Sequence, residues 1–308
     1  MGMATILITG GTGMIGSALT KGLLAKGYGI IILTRKAKPP KGNVVYKEWD
    51  VEKGTVDESA ITKADYVIHL AGANVADGRW TEKRKKEIVD SRVRSGELLV
   101  RSLKEIPNKV KAIISASAIG WYGPDPKVPN PTPFVETDIA DDGFLGTTSR
   151  LWEGSIQPVV EFGKRLVLFR IGIVLSNKGG AYAEFKKPLN FSTATILGNG
   201  KQVVSWIHID DLVRLLIAAI EDEKLYGIYN AVAPNPVSNK ELILEISKQR
   251  NKFYIPLHVP TFALKIALGE MSVEVLKSAA VSSKKVEGTG FQFLYPTIAK
   301  AVENLSAS

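Results

Sequence analysis

The chain has 308 residues, 45% hydrophobic, 23% charged and 8% aromatic, an ordinary globular composition that sets aside disorder, collagen-like repeats and coiled coil. Net charge is +9, from 40 Lys+Arg against 31 Asp+Glu, and cysteine is absent, which excludes disulfide scaffolds, thiolate metal sites and cysteine nucleophiles. The three histidines lie far apart with no metal-ligand spacing, so no metal is expected; no run approaches the roughly 20 apolar residues of a membrane span, and the N-terminus shows neither a signal-peptide nor a myristoylation pattern.

The first 171 residues alternate between short apolar runs and helical spacing. Ala4 to Thr9 reads as a strand that ends in glycines, and Met14 to Lys26 as a helix with Ile15, Leu19, Leu23 and Leu24 on one face and Gly27 as its stop. Strands follow at 30–34, 44–48 and 65–70. A helix over 81–103 leads to a strand at 110–116, and a helix over 148–162 to a strand at 166–171. Continuous apolar strands alternating with helices predict an α/β fold, a doubly wound parallel Rossmann sheet covered on both faces. Beyond it, 179–200 is rich in Gly, Lys and Asn and reads as a loop or an excursion. A strong helix is expected at 210–221, a capping box at Ser238–Glu241, chain breaks at Pro256 and Pro260, a helical run at 262–268 and a short helix closing the tail over 290–305. The densest basic run, 79–94, also holds Glu82, Glu87 and Asp90 and reads as a solvated helix face. No nucleic-acid or membrane partner is expected, and a cysteine-free chain fits a reducing cytoplasm.

The strongest local signal is Thr9-Gly10-Gly11-Thr12-Gly13-Met14-Ile15-Gly16. It reads as G-x-x-G-x-x-G, or as G-x-G-x-x-G from Gly11, between the first strand and the first helix. That is where a dinucleotide's diphosphate needs small residues and free helix N–H groups. The second strand then chooses the dinucleotide. NAD would require an acid to hold the ribose 2′-hydroxyl; here the strand ends Leu33-Thr34-Arg35-Lys36. Arg35 and Lys36 suit a 2′-phosphate, so NADP is expected in preference to NAD. Asp50 either accepts from the adenine amino group or opens a turn. Leu70, Ala71 and Gly72 are expected to border the adenosine and ribose, with Ser115 and Ala116 beside the same cofactor.

The glycine string, His69-Leu70-Ala71-Gly72, the segment Ser115 to Gly123, and Ser205 to Leu212 resemble the extended short-chain dehydrogenase/reductases. More narrowly, Leu151-Trp152-Glu153, Arg170 to Leu175 and the tail from Gly290 resemble the atypical "epimerase family protein" group, NAD-dependent epimerase/dehydratase-like proteins once called cell-division-inhibitor-like. The resemblance implies an NADP-binding Rossmann domain over 1–178, with returning segments in 200–235. It also implies a small C-terminal α/β substrate domain formed by 179–199 and 236–308. The substrate would be a small molecule carrying a carbonyl or hydroxyl group.

That superfamily abstracts a proton with the Tyr of Tyr-x-x-x-Lys and orients substrate with a Ser or Thr. Ser117 matches the Ser position. The helix that should carry the Tyr reads Thr148-Ser149-Arg150-Leu151-Trp152-Glu153 and has none. The chain's Tyr-x-x-x-Lys, Tyr182 to Lys186, falls in the irregular region and reads as a chance match. Glu153 and Tyr122 are the candidate substitutes, Glu153 weighed against helix-surface solvation or a salt bridge with Arg150, and Tyr122 against packing. Trp152, Trp206 and His208 are candidates to meet substrate, the last two weighed against a packed strand and a helix N-cap. The competing reading is a catalytically silent NADP-binding sensor or regulator.

Overall fold

The computed structural model describes residues 4–249 and 253–307; Met1 to Met3, part of the leader and myristoylation reading, lie outside them. The chain opens with β1 (Thr5–Thr9), α1 (Met14–Ala25), β2 (Gly29–Thr34), β3 (Val44–Asp50), the short antiparallel β4 (Thr55–Val56) and α2 (Glu58–Lys63). It continues through β5 (Tyr66–His69), α3 (Glu82–Glu105), β6 (Ala112–Ala118), α4 (Phe144–Ile156) and β7 (Arg165–Ile171). The sheet is completed much later by β12 (Gly227–Ala231), and its order is β12-β7-β6-β5-β1-β2-β3-β4, parallel except for β4. The order reverses between β1 and β5, which opens a crevice at the carboxyl ends of those strands.

Strand alternation sorts the core into two layers. Ile6, Ile8, Ile30, Ile32 and Ile114 pack with Leu19 and Leu23 of α1 and with Leu212 and Leu216. Leu7, Ile31 and Ile113 face the other way, toward Ile61 of α2, Leu99 of α3 and Ile156 of α4. Successive side chains of a strand point to opposite faces, so both faces of this sheet must be apolar and covered.

Between β7 and the sheet's last strand lie β8 (Ile173–Leu175), α5 (Gly180–Lys186), β9 (Thr193–Leu197), β10 (Val203–Val204), β11 (Trp206–His208) and α6 (Ile209–Glu221). After β12 come β13 (Val237–Ser238), α7 (Asn239–Lys248), β14 (Ile255–Val259), α8 (Thr261–Leu268), α9 (Ser272–Leu276), α10 (Lys284–Glu287) and α11 (Ile298–Ala307). Leu175, Tyr182, Ile196, Trp206, Leu242, Ile246 and Leu305 form a third buried cluster, the core of a second lobe. The capping box forms as expected: Ser238 Oγ accepts from Glu241 N at 3.2 Å and Glu241 Oε2 from Ser238 N at 2.7 Å.

Three expectations are corrected. The region 179–200 is not a loop: it holds α5 and β9, anchored by Tyr182, Leu189, Ala194 and Ile196. Pro256 does not break the chain but lies in β14, whose partner is β9; a proline is tolerated on an edge strand where no N–H is needed. The helix expected over 148–162 starts earlier, at Phe144, and tightens to 3-10 geometry from Gln157 to Phe162, where Pro158 lacks a donor. The tail ends in the short helix expected, α11, after a stretch in which the buried Asp211 carboxylate accepts from Leu294 N and Tyr295 N at 2.9 Å each. No helix among the described residues is long and apolar enough to cross a membrane.

Candidate functional site

The glycine loop closes the end of β1. Gly13 N donates to Gly10 O at 3.0 Å. Gly10 has φ +69°, and a Cβ there would stand 2.7 Å from Leu70 O. A Cβ on Gly16 would stand 2.3 Å from Gly10 O, so the helix can seat against the loop only because that side chain is missing. Thr12 and Gly13 are exposed. Gly13 caps α1 without a side-chain hydrogen bond, and the first turn carries no acid. The first-turn N–H groups of Met14, Ile15 and Gly16 therefore face the crevice at the positive end of a twelve-residue helix. This arrangement can hold a diphosphate.

At the next strand end, Arg35 and Lys36 are exposed, and Thr34 Oγ1 donates to Lys36 O at 2.6 Å, which shapes the turn. No acid occupies that turn. Asp50 opens a turn: its Oδ1 accepts from Glu52 N and Lys53 N at 3.0 Å each, and these hydrogen bonds, the one from Lys53 foremost, hold its carboxyl below the usual range. Leu70 and Ala71 abut the glycine loop, Gly72 is exposed, and Ser115 and Ala116 are buried within β6.

Thr9 and His69 lock β1 to β5 beneath this loop. Leu70 N and Ala71 N both donate to Thr9 Oγ1 at 3.2 Å, so the Thr9 hydroxyl proton goes to His69 Nδ1 at 2.7 Å. The ring proton then sits on Nε2, 3.4 Å from Ser95 Oγ, which in turn donates to Arg92 O at 2.9 Å. Complete burial pushes the His69 pKa down to about 4 from 6.5. The native ring stays neutral while the unfolded one takes a proton, so unfolding binds protons between pH 6.5 and about 4. Stability contributed by His69 is complete above the unfolded value and is lost as pH falls through that window, by about 3 kcal/mol in all. Urea denaturation at pH 7 and pH 4.5 should show a steeper loss for the native sequence than for His69→Asn; equal losses would contradict the assignment.

The three candidate catalytic residues, Ser117, Glu153 and Tyr122, come together in one buried network, with Arg170 at its centre. Ser117 Oγ donates to Glu153 Oε1 at 2.6 Å. Arg170 Nε donates to Glu153 Oε1 at 2.8 Å and Nη2 to Oε2 at 3.0 Å. Arg170 Nη1 donates to Tyr122 Oη at 3.1 Å and to Glu136 O at 3.1 Å, and Tyr122 Oη donates to Asn230 Oδ1 at 2.7 Å. The guanidinium also stacks 3.6 Å from the Trp121 ring centroid. Burial works against the Arg170 charge, but the Glu153 carboxylate outweighs it and raises the pKa. Burial pushes the Tyr122 hydroxyl up to about 12, and its side chain has no exposed surface. Arg170 is not among the site candidates, although a lone arginine in the apolar run Leu166 to Ile171 is a usable signal: a charge inside a sheet must be paired.

Comparison with known proteins agrees with this architecture. Residues 6–142 match the NAD dependent epimerase/dehydratase family, and residues 259–305 match a domain of unknown function, DUF1731. An epimerase family protein of Staphylococcus saprophyticus is 37% identical over 98% of this chain and 99% of its own length. Epimerase family protein YfhF of Bacillus subtilis is 34% identical over 98% of each. The chain belongs to the epimerase family proteins. Among solved structures, human epimerase family protein SDR39U1 (isoform 2) with NADPH is 26% identical, covers 99% of each chain and has a TM-score of 0.87. UDP-glucuronic acid 4-epimerase from Bacillus cereus, in complex with UDP-glucuronic acid and NAD, shares the fold at 19% identity and TM-score 0.80, with 98% of each chain covered.

In this epimerase family protein the three candidate substrate contacts separate. Trp152 is buried in the cluster that includes Ile68 and Ala116. Trp206 is instead fully buried in the second lobe, and its indole N–H donates to Asn235 O at 3.0 Å. His208 is instead the N-cap of α6, its Nδ1 accepting from Asp210 N at 3.1 Å and its ring packed 3.9 Å from that of Tyr295. Burial lowers its pKa against the pull of Asp210 and Asp211. Tyr182 is likewise buried in the second lobe, with Lys186 Nζ 5.1 Å from its ring centroid.

Proposed function

We infer that the chain binds NADP(H) and acts as an epimerase/dehydratase-like oxidoreductase on a small molecule with a carbonyl or hydroxyl group. The observation that carries this is the glycine loop: Gly10 and Gly16 leave no room for a Cβ, and the uncapped N–H groups of α1 stand at the strand-order reversal. The NADPH in the human relative's structure supports the same cofactor class. The preference for NADP over NAD rests on Arg35 and Lys36 at the end of β2, where no carboxylate is present.

When bound, the nicotinamide would supply or accept a hydride. The chain's own part is to hold the diphosphate on Met14, Ile15 and Gly16, to border the ribose with Leu70, Ala71 and Gly72, and to fix the end of β6. Ser117, Glu153 and Tyr122 are positioning residues in this reading. Both oxygens of Glu153 are engaged by Arg170, and the Tyr122 hydroxyl by Arg170 and Asn230.

That engagement favours a second reading, NADP binding without turnover, as a sensor or regulator. Incubation with NADPH and a panel of small aldehydes and ketones separates the two. Loss of the reduced-nicotinamide absorbance supports the enzyme; tight NADPH binding with no loss on any substrate supports the silent binder.

A further inference from the structure

Arg92 of α3 is a charge without a counter-charge. The exposed face of α3 is laced with ion pairs, among them Lys86–Asp90 at 2.7 Å and Arg94–Asp90 at 3.5 Å. Arg92 lies on the opposite stripe, with Ile88, Ser95 and Leu99. Its Nη1 donates to Ile88 O at 2.9 Å and to Ala73 O at 3.1 Å. Its Nε and Nη2 make no hydrogen bond, and no carboxylate pairs with it, among the described residues. Guanidinium groups are built to grip carboxylate or phosphate through two parallel N–H donors, and a desolvated charge normally has its partner.

The surroundings point the same way. The guanidinium lies over the Trp152 ring, 4.9 Å from its centroid, and the Trp152 indole N–H is itself buried and without a partner. Arg84, on the same stripe as Ile88 and Arg92, pairs through Nη1 with Glu87 at 2.7 Å, while its buried Nε is unpartnered. Burial first, and Arg84 second, lower the Arg92 pKa to about 10, which leaves it charged at neutral pH. Gly72, exposed at the end of β5, gives the group room: a Cβ there would stand 3.2 Å from Arg92 Cζ. Trp152 precedes Glu153, the partner of Ser117. The guanidinium therefore lies beside the segment that follows β5, over the ring of Trp152 on α4.

We propose that Arg92, with Trp152 and Arg84 beside it, forms an anion subsite that receives a carboxylate or phosphate group of the substrate. The substrate is then a small anionic carbonyl or hydroxyl compound. This rests on the proposed function for the identity of the bound molecule, but not for the existence of the subsite. The probes are inorganic phosphate and pyruvate, titrated calorimetrically into the full chain with and without saturating NADPH. Wild type should bind at least one of them, whether or not NADPH is present. Arg92→Gln should weaken that binding by about tenfold or more, as expected for a charge-assisted pair. Arg92→Lys, which keeps the charge but loses the fork, should fall between and serves as the test if Arg92→Gln does not fold. NADPH affinity should change by less than about twofold in either variant. The proposal is overturned if wild type binds neither anion, if both variants bind as wild type does, or if NADPH weakens in step with the anion, which would assign Arg92 to the cofactor. Failure of NADPH to bind wild type would instead remove the proposed function, and the cofactor-free titrations would still report on Arg92.

Discussion

Glu153→Gln is expected to destabilise the protein by about 3–5 kcal/mol at neutral pH, the usual cost of removing one partner of a buried ion pair. The side chains of Arg170 and Glu153 are 1% and 7% exposed, so water cannot replace the lost carboxylate charge. Arg170 also holds the hydroxyl of Tyr122 and the carbonyl of Glu136, and it joins β7 to α4 and, through Tyr122, to Asn230 of β12. A defect there loosens the corner where β6, β7 and β12 end. Replacing both charges, with Glu153→Leu and Arg170→Met together, should recover most of the loss, because the desolvation of two ions is relieved at once. Urea unfolding measures all three proteins. A loss under about 1 kcal/mol for Glu153→Gln would show that the pair does not hold this corner.

The second large effect concerns the choice of cofactor. Arg35→Asp should weaken NADPH by about thirtyfold or more, because a charge-assisted contact to the 2′-phosphate is replaced by repulsion. NADH has no such phosphate, and an acid at that position can accept from its ribose 2′-hydroxyl, so its affinity should hold or improve. Arg35 is exposed at the end of β2, so the substitution leaves the core untouched. Fluorescence titration of the two reduced cofactors reads the ratio directly; an equal loss for both would refute the 2′-phosphate role.

Much of the sheet is legible in the sequence because its strands are buried on both faces. Ile30 to Leu33 or Leu166 to Phe169 leaves little alternative to an interior strand once helices flank it. The glycine loop is legible for a related reason: Gly10 and Gly16 occupy positions where contacts with Leu70 and Gly10 itself forbid any side chain. The second lobe is harder to read. Its elements are short, α5 with seven residues and β9 with five, and each buries only a few side chains, among lysines and asparagines that carry the composition of a loop. Long-range partners decide such segments: β9 exists because β14, some sixty residues away, pairs with it.

The candidate site divides in the same way. Ser117 and Glu153 stand at positions near a family motif, and the structure joins them, but the sequence alone does not show that Arg170 occupies both carboxylate oxygens. Arg92 was hidden in a run that reads as a solvated face. Its spacing from Ile88 and Leu99 places it on the buried stripe instead, a signal visible once the helix is wheeled at 3.6 residues per turn.

Calorimetric titration of NADPH and NADH into the purified chain tests the central claim most directly. The account predicts saturable binding of NADPH at one site per chain, tighter than that of NADH. Failure to detect either reduced cofactor at concentrations on the order of millimolar, where even weak specific binding registers, would contradict it.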